Sequence, residues 1–489
     1  MTEKDENHRY LEDVDDLKEV APSNTREVNL GQMLEVDATP KEERRVLWKL
    51  DLLLIPLMGI CYMMQYMDKL AMSQASMLNL RQDLNLQGSQ FSWASAIFYF
   101  GFLVWSWPSS YLIVRLPLGK YVSVSVFIWG GFLMCHAAAK NFGGLMATRF
   151  FLGVGEAAIA PGFALVTGMF YKREEQPSRQ AGWYLGNCVA NIIGGVVAYG
   201  IGTIDSSTVT NWQLLFLILG AITSGIGIVL FIILPDSPAT AIFLTKRERG
   251  IAVQRTLTNK TGVLDTGSFK WDQAWKALIN PQTWLLILYN FCVNLCNGGI
   301  TTFSAIIING FGFSELRSLL LQMPMGGAQV VFLLLAVAVS SYIPHTRILM
   351  MMINCAASMV GMILIWKLPD SNLAGRMVGV SIGAVFGTNV PLSLSLISSN
   401  VAGFTKRSVV SALIFVAYCV GNITGIKAAM CGLILGIFFL ILLIAYYVFE
   451  NRRRDRAYGL PSEVAESEEL ADELSNRTDT EMPSFRYVC

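Results

Sequence analysis

Apolar residues are gathered in nearly uncharged stretches that follow one another from Trp48 to Phe449. As a helix, a stretch of about 20 such residues is long enough to cross a hydrocarbon core of about 30 Å. The pattern therefore predicts twelve membrane-spanning helices, six before and six after a charged linker. The predicted bounds are 48–78, 90–112, 120–139, 142–170, 179–201, 213–234, 282–308, 318–340, 346–366, 374–399, 408–425 and 428–449.

Composition favours the same fold class. Of the 489 residues, 53% are hydrophobic and 15% are charged, against roughly 25% charged residues in an average soluble protein. These proportions exclude a soluble multidomain enzyme, and the long apolar stretches exclude a transmembrane β-barrel, whose strands are shorter and alternate in polarity. We predict an all-α membrane protein without enzymatic activity. Its predicted segments are an acidic tail (1–45), a six-helix bundle (46–234), a linker (235–281), a second six-helix bundle (282–450) and a tail (451–489).

The distribution of Lys and Arg predicts the orientation of the chain. With the N-terminus in the cytoplasm, the cytoplasmic loops and flanks carry 23 of these residues and the opposite side carries six. Because cytoplasmic loops are enriched in Lys and Arg, both termini are predicted to be cytoplasmic. The three glycosylation sequons, at Asn259, Asn422 and Asn476, then lie in the cytoplasm or inside a helix, so we predict no N-glycan.

The segments outside the bundles are strongly polar. Residues 1–40 hold eleven acidic and four basic residues, and residues 457–489 hold eight and two, which predicts disordered tails. In the linker, Trp271, Trp275 and Leu278 follow one another at i, i+4 and i+7. This spacing predicts a short amphipathic helix on the inner leaflet.

Several function classes lack their sequence signals in this chain. The 37 Lys and Arg against 36 Asp and Glu leave a net charge of +1, so a basic surface for nucleic acid is not expected. The nine cysteines include no Cys-x2-Cys pair and only three histidines occur, so we predict no metal site. Neither a nucleotide-binding P-loop nor a potassium-channel filter motif occurs, so we predict no ATP-driven pump, no channel and no cofactor.

The two halves carry a weak internal repeat. The fourth predicted helix opens with Arg149 and reaches Pro161, and the tenth opens with Arg376 and reaches Pro391, with small residues in between. Small residues let helices approach closely, and related halves around a midplane site are typical of secondary transporters. Seven residues after the arginine, the first copy has Glu156 where the second has glycine. The ionisable groups are therefore predicted to act in the N-terminal half.

Four ionisable residues lie well inside the predicted spans: Asp68, Lys69, Arg149 and Glu156. Charges within a membrane are costly and usually functional. On one helix Asp68 and Lys69 point about 100° apart, and on the other Arg149 and Glu156 share a face. A carboxyl group in a low-dielectric cavity can take up and release a proton near neutral pH, so Asp68 and Glu156 are the predicted proton-coupling residues. Arg149 is predicted to have a positioning role.

Lys69 shares its helix face with Tyr62 and Tyr66. We predict that these three residues bind the substrate, with the lysine supplying a fixed positive charge either to the substrate or to whichever carboxylate has lost its proton. The alternative is a purely structural ion-pair cluster that holds the first and fourth helices together.

Amide side chains form stripes on several of the predicted spans. Amides facing lipid would be costly, so these stripes predict a polar central cavity. For each amide, the alternative is an interhelical hydrogen bond. The predicted substrate-binding amides are Asn187, Asn294, Asn297, Asn389 and Asn422.

Four motifs stand out: Tyr66-Met-Asp-Lys69, the run from Arg149 to Pro161-Gly162, Tyr171-Lys-Arg-Glu-Glu-Gln-Pro177 and Ser399-Asn-Val-Ala-Gly403. Together they resemble the fungal allantoate permease family, a branch of the anion:cation symporters within the major facilitator superfamily. The resemblance implies the 6+6 fold of that superfamily, a plasma-membrane location and proton-driven uptake of small organic anions such as allantoate, nicotinate or pantothenate. It also implies that Asp68 and Glu156 carry protons and that Lys69 takes part in coupling and substrate binding.

The chain departs from this family between the last two helices. The family has a substantial outer loop there, whereas here only Ile426 and Lys427 separate the two predicted helices. A missing segment of this kind would impair activity. Two alternative functions stay open: proton-driven efflux of a secondary metabolite by the same fold, and a non-transporting nutrient sensor, against which the short tails argue. We predict a monomer whose partners are the lipid bilayer, protons and a small organic anion.

Overall fold

A computed structural model of the protein describes residues 39–172, 175–204, 208–257, 270–343, 345–423, 429–458, 478–482 and 485–488. The helices are α1 (Pro40–Met77), α2 (Leu80–Asp83), α3 (Gln90–Arg115), α4 (Leu118–Cys135), α5 (Phe142–Glu156), α6 (Ile159–Phe170), α7 (Gln176–Gly202), α8 (Asn211–Ile233), α9 (Lys246–Leu257), α10 (Trp271–Ile279), α11 (Pro281–Asn309), α12 (Glu315–Leu320), α13 (Met323–Tyr342), α14 (Arg347–Lys367), α15 (Leu373–Gly383), α16 (Asn389–Asn400), α17 (Phe404–Ile423) and α18 (Ala429–Tyr458). Short 3-10 turns occupy His136–Ala138, Pro238–Thr240 and Val385–Thr388.

Twelve segments of the described chain are long and apolar enough to cross a membrane. The fourth, eighth and tenth spans each contain two α-helices, α5 with α6, α12 with α13 and α15 with α16. Each of the other spans contains one α-helix, which the His136–Ala138 turn extends in the third span. The prediction of an all-α protein with six spans on each side of a linker is confirmed. The first helix begins earlier than predicted, at Pro40, and the last continues to Tyr458.

Prolines account for the breaks in the two repeat-related spans. Pro161 and Pro391 are each the third residue of the second helix in their span. A proline has no N–H, and its ring clashes with the carbonyl group four residues earlier, so it favours a kink or a break at that position. Because α5 ends at Glu156, the predicted proton carrier lies directly at such a break.

Within each half, glycines allow neighbouring helices to approach closely. A Cβ atom on Gly153 of α5 would lie 2.1 Å from the carbonyl oxygen of Phe98 on α3. A Cβ atom on Gly130 of α4 would lie 2.5 Å from the backbone nitrogen of Ser224 on α8. Any larger side chain would force these helices apart, so the glycines fix the geometry of the helices that carry the site.

The two halves contact each other on the side away from the chain ends. An even number of spans places both ends on one face of the bundle, which we call the terminal face, and the opposite one is the far face. Near the far face, the Ala305 amide of α11 donates to Ser73 Oγ of α1 over 3.1 Å. Gly195 of α7 lies so close to Leu319 of α12 that a Cβ atom would be 2.5 Å from the Leu319 carbonyl oxygen. These contacts close the halves against each other toward the far face.

On the terminal face, ion pairs tie the helices of the N-terminal half to one another. Arg179 Nη2 of α7 lies 2.8 Å from Asp51 Oδ2 of α1. Lys49 Nζ of α1 lies 2.6 Å from Glu248 Oε1 of α9, a linker helix that the sequence pattern did not predict. These pairs make α1, α7 and α9 one packed unit within that half.

The C-terminal segment 478–488 packs against the terminal face of the C-terminal half, in its described residues. Lys406 of α17 and Asp479 form an ion pair of 2.6 Å in which both side chains are fully buried. The Tyr487 ring stacks on Tyr447 of α18 at 5.1 Å, and Arg454 Nη1 donates to the Asp479 carbonyl oxygen. The prediction of a disordered tail is therefore wrong for these residues. The acidic composition gave no sign that Asp479 pairs with a buried lysine or that Tyr487 stacks on Tyr447.

The predicted amphipathic linker helix is present as α10. Trp271 and Trp275 are 80% and 64% exposed on it, so its apolar face points away from the bundle. Its position on the inner leaflet stays a prediction. The unusually short connection before the last span falls on residues 424–428, which lie outside the described residues. Residues 1–38 of the predicted tail 1–45 and the sequons at Asn259 and Asn476 also lie outside them.

Candidate functional site

The structure brings the four intramembrane charges together between α1 and α5. Lys69 Nζ of α1 lies 3.2 Å from Glu156 Oε2 of α5. The Asp68 carboxyl group interacts electrostatically with both Glu156 and Lys69, and Arg149 interacts with both carboxyl groups. Asp68, Arg149 and Glu156 are at most 2% exposed, so the cluster is buried.

Asp68 accepts a hydrogen bond from a residue that the sequence reasoning missed. Trp129 Nε1 of α4 donates to Asp68 Oδ2 over 2.5 Å, and both side chains are fully buried. The other carboxylate oxygen, Oδ1, has no hydrogen-bond partner among the described residues. No sequence signal marks Trp129, because tryptophans are frequent in these spans.

Lys69 is the member of the cluster that reaches toward an accessible space. Its side chain is 13% exposed, whereas that of Glu156 is 0% exposed. The ammonium group also lies 5.6 Å from the centre of the Phe98 ring, a distance at which a cation and an aromatic face attract each other. Lys69 can therefore contact a ligand while it is paired with the buried glutamate.

Arg149 lies deeper, against an aromatic ring. Its guanidinium group stands 5.8 Å from the centre of the Phe216 ring of α8. Its Nε and Nη2 atoms have no hydrogen-bond partner among the described residues, and it makes no direct ion pair with Asp68 or Glu156 there. Arg149 therefore supplies a fixed positive charge near Asp68 and Glu156 without forming an ion pair with either. Its positioning role stays a prediction.

The predicted tyrosines lie beside the charged cluster on α1. Tyr62 packs on Trp183 of α7, with ring centres 4.6 Å apart. Tyr66 lies next to the amide groups of Asn191 and Gln329. Asn187 is half-buried next to Tyr184, and its Oδ1 atom has no hydrogen-bond partner among the described residues. Tyr66 and Asn187 thus keep polar atoms near the interface of the halves.

Two amide and hydroxyl bridges join the halves beside these residues. Asn191 Nδ2 of α7 donates to Gln329 Oε1 of α13 over 2.8 Å, and Gln329 Nε2 donates to the Ala384 carbonyl oxygen. The Tyr184 hydroxyl donates to the Gly387 carbonyl oxygen over 2.6 Å. Gln329 escaped the sequence reasoning, although a glutamine in a largely apolar span is a usable signal.

The remaining predicted amides bond to one another or to neighbouring helices. Asn297 Nδ2 of α11 donates to Asn422 Oδ1 of α17, and Asn422 Nδ2 donates to Asn294 Oδ1. Asn389 of α16 accepts from Asn354 and donates to the Tyr289 hydroxyl. In this conformation these groups make the interhelical hydrogen bonds of the alternative interpretation, and their contact with substrate stays a prediction.

Comparisons with known proteins agree with this architecture. Residues 58–426 match the Major Facilitator Superfamily family profile. An uncharacterized transporter of Schizosaccharomyces pombe is 38% identical, covering 92% of this chain and 88% of the relative. The allantoate permease of Saccharomyces cerevisiae is 34% identical, covering 93% and 88%. The solved proton:xylose symporter XylE has a TM-score of 0.63 at 13% identity, covering 80% of this chain and 95% of that one, which shows a shared fold.

Proposed function

Because this chain belongs to the Major Facilitator Superfamily and is a multi-pass membrane transporter rather than an enzyme, we propose that it takes up a small organic anion together with a proton. The proposal includes alternating access, with the site open in turn to each side of the membrane. It also includes a plasma-membrane location with both termini in the cytoplasm, for which the distribution of Lys and Arg is the support.

The charge balance of the buried cluster carries this proposal. Two carboxyl groups, Asp68 and Glu156, share one region with two cations, Lys69 and Arg149. With both carboxyl groups ionised, the four charges cancel. When one carboxyl group takes up a proton, the cluster is left with a net positive charge, and an uncompensated charge in a low-dielectric site is costly. An anionic substrate removes that cost, so proton binding and anion binding favour each other.

The geometry suggests the order of events. Protonation of Glu156 removes its attraction for Lys69, whose partly exposed ammonium group then pairs with the carboxylate of the substrate. In the proposed complex, Tyr66 and Asn187 form hydrogen bonds with the polar part of the substrate. On the other side of the membrane, loss of the proton restores the Lys69–Glu156 ion pair, and the substrate is displaced. The substrate and Glu156 thus compete for the same cation.

The contacts between the halves support the alternating-access part of the proposal. In the described conformation the halves meet near the far face through Ser73 and Ala305 and through Gly195 and Leu319. If the terminal face is cytoplasmic, this conformation is closed to the outside. Uptake then requires these contacts to separate, so that the site opens outward, and to re-form once the substrate is bound.

Allantoate is the first candidate substrate. The allantoate permease of Saccharomyces cerevisiae aligns with 93% of this chain, and allantoate offers one carboxylate for Lys69 and amide groups for the tyrosines and Asn187. Nicotinate and pantothenate share the carboxylate and form the rest of the proposed class. A carboxylate is what the cluster requires, whereas the remaining polar groups fit several small molecules.

Reconstitution tests the proposal directly. The purified protein is placed in liposomes with a pH gradient, acidic outside, and accumulation of labelled allantoate, nicotinate and pantothenate is measured. We expect accumulation of at least one of these anions, lost when a protonophore collapses the gradient. Accumulation that is unaffected by the protonophore would contradict proton coupling. If the pH gradient instead drives substrate only from the terminal face to the far face, the efflux alternative is favoured.

A further inference from the structure

Trp129 connects the helix that carries Asp68 with the rest of the N-terminal half. It lies on α4, is fully buried, and donates from Nε1 to Asp68 Oδ2 over 2.5 Å. The indole N–H group can only donate a hydrogen bond, so Trp129 can bond to a carboxylate oxygen but cannot accept a proton from Asp68. The bond therefore stabilises the ionised form of Asp68 and fixes which oxygen is engaged.

The backbone around Trp129 is held tightly from two sides. A Cβ atom on Gly155 of α5 would lie 3.0 Å from the Trp129 Cα atom, so the residue before Glu156 touches the backbone of Trp129. On the other side, α4 meets α8 at Gly130, where a Cβ atom would be 2.5 Å from the Ser224 backbone nitrogen. These contacts hold the Trp129 backbone against α5 and α8, and the indole reaches from there to Asp68 on α1.

The two carboxyl groups of the cluster interact with each other, and Asp68 also faces Lys69 and Arg149, but each carboxyl group has a further contact of its own. Glu156 Oε2 lies 3.2 Å from the cation Lys69, whereas Asp68 Oδ2 accepts a hydrogen bond from the neutral Trp129. The oxygen Asp68 Oδ1 has no hydrogen-bond partner among the described residues. A proton that reaches Asp68 can therefore bind at Oδ1 without breaking an existing bond.

We propose that Trp129 is a positioning residue for proton coupling, which holds Asp68 Oδ2 and leaves Oδ1 as the oxygen that exchanges the proton. This rests on the proposed function and deepens it. The proton arrives from a hydronium ion on one side, is shared between Asp68 Oδ1 and the neighbouring carboxyl group of Glu156, and leaves to water on the other side. The indole N–H is unchanged throughout.

The test is Trp129→Phe, which keeps an aromatic ring and removes the N–H. A hydrogen bond to a charged group is worth about 1.5–3 kcal/mol, which corresponds to a shift of about one to two pH units. Without the donor, Asp68 keeps its proton to higher pH, so we expect the pH profile of uptake to move upward by that amount. The matched control is Trp212→Phe, because Trp212 also donates to a carboxylate, Asp83, over 2.7 Å but lies outside the cluster. Its pH profile should stay within a few tenths of a unit of the wild type.

A spectroscopic measurement separates this proposal from the proposed function. In purified protein, infrared difference spectra follow the protonated carboxyl band of Asp68, assigned by its absence in Asp68→Asn, as pH is varied. We expect the titration of that band to move upward in Trp129→Phe, whether or not any anion is transported. An unchanged titration, or an equal shift in Trp212→Phe, would overturn the role of Trp129. If the titration shifts but the wild type shows no proton-driven uptake, then the proposed function alone fails.

A measurement on the unmodified residue covers the case in which Trp129→Phe does not fold. Nuclear magnetic resonance of protein labelled with 15N-tryptophan reports the indole N–H groups one by one. We expect one indole resonance to move downfield as Asp68 ionises and to lose this pH dependence in Asp68→Asn. If no indole resonance responds to the Asp68→Asn change, the hydrogen bond is absent and the proposal is wrong.

Discussion

Lys69 and Glu156 form an ion pair of 3.2 Å whose two ends differ in exposure, 13% for the lysine side chain and none for the glutamate. The pair joins α1 to the end of α5, at the point where the fourth span is broken. One partner can therefore respond to a ligand in the space between the halves while the other is shielded from it. In the proposed mechanism, a substrate that attracts the lysine would leave the buried carboxylate without its partner, which is costly in a low-dielectric site.

The first prediction concerns the positive charge. Lys69→Ala should reduce uptake of the anionic substrate by roughly ten- to a hundredfold, since a charge-assisted hydrogen bond is worth about 1.5–3 kcal/mol. Labelled-substrate uptake in cells measures the effect, with surface biotinylation to confirm delivery to the membrane. Lys120→Ala is the control, because Lys120 is exposed at the start of α4. Uptake by Lys69→Ala at the wild-type rate would place the anion site elsewhere.

The second prediction concerns the proton carried by Glu156. Glu156→Gln keeps the shape of the protonated side chain but cannot release a proton. Exchange of labelled for unlabelled substrate needs no net proton release, so we expect counterflow to be retained. Accumulation driven by a pH gradient should be lost. Both are measured in the same liposomes, and accumulation that survives in Glu156→Gln would leave Asp68 as the only candidate carrier.

The number of spans could be predicted because it follows from a single property, the length of each apolar stretch. The meeting of Asp68, Lys69 and Glu156 could be anticipated as well, since few charges lie inside the spans and burying them apart would be costly. The short helices α2, α9 and α12 were not predicted, because their sequences are too brief or too polar to show a period.

The partners of individual side chains could not be predicted. Trp129 bonds Asp68 only because glycine contacts set the rotation of α4 against its neighbours, and sequence periodicity does not contain that rotation. The amide stripes on α11 and α17 indicated polar faces correctly. Whether Asn297 and Asn422 face a ligand or each other depends on the distance between the two helices, which a close contact at Gly298 sets.

The third prediction concerns the buried ion pair between Lys406 and Asp479. Asp479→Asn would leave the lysine charge unpaired in a site with no exposure, a cost of about 3–5 kcal/mol if the C-terminal segment stayed docked. We therefore expect the segment to detach, with faster tryptic cleavage at Arg486. Removing the cation too, in Lys406→Met with Asp479→Asn, should restore protection.

A surface ion pair provides the control for this third prediction. Asp370→Asn removes the partner of Arg376, but Asp370 is 93% exposed, and such pairs contribute about 0–1 kcal/mol. Cleavage at Arg486 should be unchanged in this variant. Equal cleavage rates in Asp479→Asn and the wild type would mean that the C-terminal segment does not depend on the buried pair.

The last prediction concerns closure of the halves at the far face. Gly195→Ala places a methyl group where only 2.5 Å separates it from the Leu319 carbonyl oxygen, so the halves can no longer meet as closely there. Gly200→Ala on the same helix is the matched control, since a Cβ atom at Gly200 meets nothing within 4 Å. Both changes gain the same helix propensity, about 1 kcal/mol, and differ only in the clash. We expect the clash to shift the population away from the conformation that is closed at the far face.

Spin labels at Thr203 and Ser314, which are exposed near the far face on the N-terminal and C-terminal halves, measure this closure. Electron paramagnetic resonance should report a longer distance between the labels in Gly195→Ala and an unchanged distance in Gly200→Ala. Uptake should fall several-fold in Gly195→Ala alone, and an unchanged distance distribution in that variant would show that closure does not depend on the contact between Gly195 and Leu319.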